Sequence, residues 1–137
     1  MTFDAKALLI SVQEAHRLHQ AGGVHFLDAT YFASSEPLKA ADEYAAGHLP
    51  GAAFFAIEAI ADHSNPLPHM LPPLAEGEAA LRALGVNNAD LVVVYDRPRL
   101  RSAPRVWWML RYFGHQNVVV LDGGYAAWVE AGCRRAI

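Results

Sequence analysis

The sequence predicts an α/β domain with a central, mostly parallel sheet and helices on both faces. Three observations carry that expectation. The apolar runs VHFLDA (24–29), LVVVY (91–95) and NVVVL (117–121) are short and do not alternate with polar residues, the pattern of strands buried on both faces. Helical-looking segments separate them, as crossover connections require. A chain of 137 residues, 53% hydrophobic, has room for one core and not for two.

Taken in order, residues 1–10 read as an N-terminal arm and 11–137 as the domain. SVQEAHRLHQAGG opens with Ser11, has Glu14 three residues later and closes at Gly22 and Gly23, a capping box and a glycine stop around one helix. VHFLDA follows as a strand ending near Asp28, then AADEYAAG (40–47) as a helix closed by Gly47. GAAFFAI reads as a short buried strand. Between Glu58 and Pro73 the four prolines and the string DHSNP predict an ordered loop without regular structure. EGEAALRALG is a helix ended by Gly85, LVVVY a strand, SAPRVWWMLRYFG a helix, and NVVVLDGG with YAAWVEAG the last strand and helix. Ser102 is expected to cap the helix SAPRVWWMLRYFG, with Pro104 tolerated in its first turn.

Charge and cysteine content narrow the function. The net charge of -3 gives no basic excess, so no nucleic-acid partner is expected. No run is long enough to span a bilayer, and MTFDAKALLISV lacks the basic start of a secretory leader. With a single cysteine there is neither an internal disulfide nor a cysteine metal cage, which fits a cytoplasmic protein without a membrane partner. No cofactor is expected. His16 and His19 share a helix face without a third ligand, so no metal is expected either. Cys133 follows the last helix and reads as an incidental thiol. Trp107, Trp108 and Trp128 read as core residues, and His48 in GHLPGA as a turn holder.

In open parallel sheets ligands collect beyond the carboxyl ends of the strands, which directs attention to the loop DRPRLR at 96–101. Arg97, Arg99 and Arg101, with Ser102 at a helix start, make this loop a candidate anion site. The alternative is a solvated basic loop in which Asp96 pairs with a neighbouring arginine. A thiol at position 96 would be activated by such a field, but a carboxylate cannot form the S–S bond that holds a sulfane sulfur. A phosphoaspartate role is disfavoured because no accompanying metal-binding carboxylate cluster is evident. Asp96 therefore reads as a vacant nucleophile position.

Four motifs, LDAT (27–30), EYAAGHLPGAAFF (43–55), DHSNPLPHMLP (62–72) and SAPRVWWMLRYFGHQNVVVLDGGYAAW (102–128), resemble the rhodanese superfamily. The resemblance is to the N-terminal, non-catalytic domain of two-domain thiosulfate and 3-mercaptopyruvate sulfurtransferases. It implies a rhodanese-like fold, inactivity of this domain alone, and sulfur transfer by a cysteine-bearing catalytic rhodanese domain from the same gene or a second chain. Its implied small-molecule partner is a sulfur-containing anion, with thioredoxin or another thiol as acceptor. By motif position the resemblance also marks Glu58 and His69 as accessory residues facing the active site of the other domain. A carboxylate beside an imidazole suits acid-base work. The bland alternative is a surface carboxylate and a loop histidine. Related N-domains commonly carry a glycine and an aromatic residue where this chain has Pro98 or Arg99 and Arg101. Two other readings remain: a stand-alone module binding a small anion or acidic partner through the arginine loop, and a phosphatase relative. The second would need cysteine and arginine where Asp96 and Ser102 stand.

Overall fold

The computed structural model describes residues 8–32, 37–67, 70–97 and 102–137. Among these the elements run β1 (Leu9–Ile10), α1 (Val12–Ala21), β2 (Val24–Asp28), α2 (Ala40–Ala46), β3 (Ala53–Phe54), α3 (Ile57–Ile60), α4 (Leu74–Ala83), β4 (Leu91–Tyr95), α5 (Ala103–Tyr112), β5 (Val118–Leu121) and α6 (Gly124–Glu130). The five strands form one all-parallel sheet in the order β1-β5-β4-β2-β3.

Side-chain alternation along the strands divides the core. Leu27, Val92, Val94, Val118 and Val120 face one way and meet Leu81 of α4 and Val106, Met109 and Leu110 of α5. Phe26, Val93, Tyr95, Val119 and Leu121 face the other way, against Val12 and Ala15 of α1 and Trp128 of α6. Burial on both faces explains why LVVVY and VVVL do not alternate. Fully burying one such side chain contributes roughly 1.5–3 kcal/mol, so the strand interior dominates the stability.

Several elements differ from expectation, each for a local reason. Leu9 and Ile10, assigned to the arm, pair with Val120 and Leu121, so the sheet starts two residues before the domain boundary drawn at Ser11. The Ser11 hydroxyl does accept from Glu14 N–H at 3.1 Å, but the Glu14 carboxylate pairs with Arg17 instead of reaching back, so half of the capping box forms. Glu58 lies in α3, a single turn inside the stretch read as loop. The rest of that stretch is held by short-range bonds: Asp62 accepts from Ser64 N–H at 3.0 Å, Asn65 from Leu67 N–H at 3.0 Å, and Asp62 N–H donates to the Met70 carbonyl at 2.7 Å. α4 begins at Leu74, with Pro73 before it, rather than at Glu76. Trp108 is 44% exposed on the outer side of α5 and is not a core residue, whereas Trp128 is buried.

The connections leaving β2 and β4, neighbours in the sheet, diverge. α2 packs through Tyr44 on one face, and α5 covers the other. In open parallel sheets such a divergence marks where ligands collect, beyond the carboxyl ends of the two strands. Asp28 and Asp96 sit there.

Candidate functional site

β4 delivers Asp96 to the carboxyl edge, where the side chain is 1% exposed. Its Oδ2 accepts hydrogen bonds from the Ser102 N–H at 2.8 Å and the Ala103 N–H at 2.7 Å. The helix start is thus capped by a carboxylate six residues upstream. Ser102, expected to provide that cap, has no side-chain cap bond; its hydroxyl donates to the Ala29 carbonyl and ties α5 to the end of β2. The Asp96 carbonyl accepts from Tyr125 N–H at 3.1 Å. Gly124, at φ +62°, permits this approach, since a Cβ there would stand 2.6 Å from the same carbonyl oxygen.

Arg97 points to the opposite face. One of its Nη atoms donates to the carbonyls of Glu43 (3.2 Å) and Gly47, satisfying the C-terminal end of α2. The same nitrogen lies 3.7 Å from Asp28 Oδ2, and the guanidinium carbon stands 3.7 Å from the Tyr125 ring centroid. Asp28 is buried, and its Oδ1 accepts from Thr30 N–H at 3.0 Å. Tyr95, beside Asp28 in register, accepts from Leu49 N–H at 3.2 Å. Burial first, and then the Asp28 charge, push the Tyr95 phenol well above its ordinary pKa. His48 holds its turn: its ring stacks on Tyr44 at 4.1 Å, and its backbone exchanges two hydrogen bonds with Ala136.

The structure therefore brings together Asp96, Ser102 and the head of α5, and separately Arg97, Asp28, Tyr95 and Tyr125. Of the candidate anion-binding residues, Arg97 is committed to carbonyls, a carboxylate and an aromatic ring, and the hydroxyl of Ser102 is committed to Ala29. Arg99, Arg101 and the accessory candidate His69 lie outside the described residues. Glu58 is exposed on α3, just past the carboxyl end of β3, and its carbonyl lies 2.7 Å from His63 Nε2. Cys133 follows α6, half-buried, in a surface cavity of about 360 Å³ shared with Gly47 and the C-terminal residues. The other end of α6, seven residues and about 10 Å away along the helix, carries Gly124 against Asp96. Among the described residues no three His, Cys, Asp or Glu side chains gather as a metal site, and no helix is long and apolar enough to cross a membrane.

Sequence reasoning missed Asp28, Tyr95 and Tyr125 as members of the Arg97 network. Asp28 carried the available signal, a carboxylate closing an apolar strand, which is costly to bury without a partner.

Comparison with known proteins places this geometry. The family described as Rhodanese-like domain matches residues 11–131. The chain is 54% identical over 93 residues to the 3-mercaptopyruvate sulfurtransferase of Escherichia coli strain K12, covering 68% of this chain and 33% of that protein. It is 42% identical over 124 residues to the mitochondrial thiosulfate/3-mercaptopyruvate sulfurtransferase 1 of Arabidopsis thaliana, covering 90% and 33%. The crystal structure of a 3-mercaptopyruvate sulfotransferase from Escherichia coli superposes with a TM-score of 0.89 at 40% identity, over 95% of this chain and 50% of that one. The chain thus spans about a third of the length of the curated relatives it matches. An all-parallel five-stranded sheet, the strand end and helix start that meet at Asp96 and the match over residues 11–131 lead to one conclusion: the chain belongs to the rhodanese family, as a rhodanese-like domain homologous to the N-terminal part of 3-mercaptopyruvate/thiosulfate sulfurtransferases.

Proposed function

We propose that this domain supports sulfur transfer by a cysteine-bearing rhodanese domain and does not itself carry the sulfur. The observation behind the reading is Asp96: the position where the resemblance puts the nucleophile holds a buried carboxylate already bound to two backbone N–H groups. Sulfur relay needs an attacking thiolate that forms and breaks S–S bonds, which an oxygen nucleophile does not provide. The single thiol, Cys133, sits beyond α6 and away from any strand-to-helix cradle.

The contribution of this half is then a wall of the shared active site, with Glu58 and His69 as the accessory pair and a small sulfur-containing anion as donor. A cytoplasmic location is supported by the single cysteine, which allows no internal disulfide, and by the lack of a helix long and apolar enough to cross a membrane among the described residues. Anion recognition by the arginine loop on its own gains nothing from Arg97, which is engaged inward, and would rest on Arg99 and Arg101.

A sulfurtransferase assay tests the proposal, with thiosulfate or 3-mercaptopyruvate as donor and cyanide or a dithiol as acceptor. The chain alone is expected to give no turnover, and fusion to a cysteine-bearing rhodanese domain to give turnover that falls at least tenfold on Glu58→Ala or His69→Ala. Turnover by the isolated chain that disappears in Cys133→Ala would overturn it.

A further inference from the structure

Around the Arg97 network three buried side-chain atoms find no hydrogen-bond partner among the described residues: Asp28 Oδ2, Thr30 Oγ1 and Arg97 Nε. Asp28 is fully buried and Thr30 is 2% exposed. Orphans of this kind are rare, because a polar group that gives up bulk water on folding must bond to something else. The chain gathers these three. Thr30 N–H donates to Asp28 Oδ1 at 3.0 Å, which holds Thr30 against the carboxylate whose other oxygen is the orphan. Arg97 Nη2 lies 3.7 Å from that other oxygen, beyond hydrogen-bond reach. Both protons of Nη2 already go to the carbonyls of Glu43 and Gly47, so Oδ2 receives the charge of the guanidinium and no N–H from it. The Tyr95 phenol is close enough to feel the Asp28 charge, yet gives Oδ2 no hydrogen bond.

A polar pair parted by more than about 3.5 Å is the arrangement that a bridging molecule completes. The charges at the site select the occupant. A carboxylate repels an anion and a guanidinium repels a cation, which leaves a neutral molecule able both to donate and to accept. Its bonds are a donation to Asp28 Oδ2, an acceptance from Arg97 Nε–H and an exchange with the Thr30 hydroxyl, which is about the usual complement of a buried water.

We infer that Asp28, Thr30 and Arg97 form a binding site for a single internal water molecule, which makes the Asp28–Arg97 ion pair a water-bridged contact at the carboxyl end of β2. Thr30 is then a ligand of that water, and its hydroxyl belongs to the junction of β2 with the residue that follows β4. The inference does not rest on the sulfur-transfer proposal, so each fails by its own experiment.

A crystal structure of the native chain at a resolution that orders solvent tests it, together with urea unfolding of the native chain and Thr30→Val. The density is expected to hold a water within about 3.2 Å of both Asp28 Oδ2 and Thr30 Oγ1. Thr30→Val keeps the shape of the side chain and removes the hydroxyl, so the water loses a partner and the unfolding equilibrium constant is expected to rise about fivefold. The sign of that change is decisive. A hydroxyl buried dry only costs stability, so a Thr30→Val chain as stable as the native one, or more stable, would overturn the inference. Density at that point for a protein side chain or an ion, or no density at all, would overturn it whether or not Thr30→Val folds.

Discussion

Arg97 joins elements that the chain connects only through long excursions. One guanidinium answers the last carbonyls of α2, stands over Tyr125 of α6 and balances Asp28 at the end of β2. Removing one partner of a buried pair strands the other charge, which costs about 3 kcal/mol, more than an exposed pair contributes. Arg97→Ala is therefore expected to lose about that much in urea unfolding. Arg97→Lys is expected to recover less than half, because an ammonium lacks the planar fork that bonds two carbonyls while stacking on a ring. Tyr95 offers a test in pH. Its phenol is held protonated in the fold, so its contribution is fully present below the unfolded value near 10 and is lost as pH climbs from there toward the higher folded value. Tyr95→Phe is expected to cost about 1 kcal/mol at neutral pH, through the bond from Leu49, and to flatten the decline of stability above pH 10.

Among elements, α4 closely approaches Phe113, the residue that follows α5. Gly77 lies inside α4, where glycine is intrinsically about 1 kcal/mol worse than alanine. The Phe113 ring explains its presence, since a Cβ at Gly77 would fall 2.2 Å from that ring. Overpacking costs roughly 1–3 kcal/mol, so Gly77→Ala is expected to lower the unfolding midpoint despite its better helix propensity. A combined Phe113→Leu, which relieves the contact, is expected to return part of the loss. The sequence read as an isolated helix argues the other way, and only the neighbour decides the sign. The same holds at α5: Ser102 has the residue type of a cap, yet the carboxylate that caps comes from another strand.

For the molecule as a whole, legibility followed chain distance. LVVVY, NVVVL and the glycine-closed helices were readable because their signals are local and run for several residues. β1 and α3, of two and four residues, are too short for a period to show, and the first exists only because β5 is beside it. Asp96 was recognisable as a residue out of place for thiol chemistry, but its role as the cap of α5 depends on amides six and seven residues away. The Arg97 network, assembled from four elements, left only the buried Asp28 as a trace.

The outline of the sheet has its own bearing on self-association. Among the described residues the outermost strands β1 and β3 are each two residues long and cover only part of β5 and β2, so both borders are stepped. A stepped border offers an incoming chain too short a row of free amides to template fibril-like strand addition. The valine-rich β4, the segment most prone to such pairing, lies at the centre of the sheet between β5 and β2.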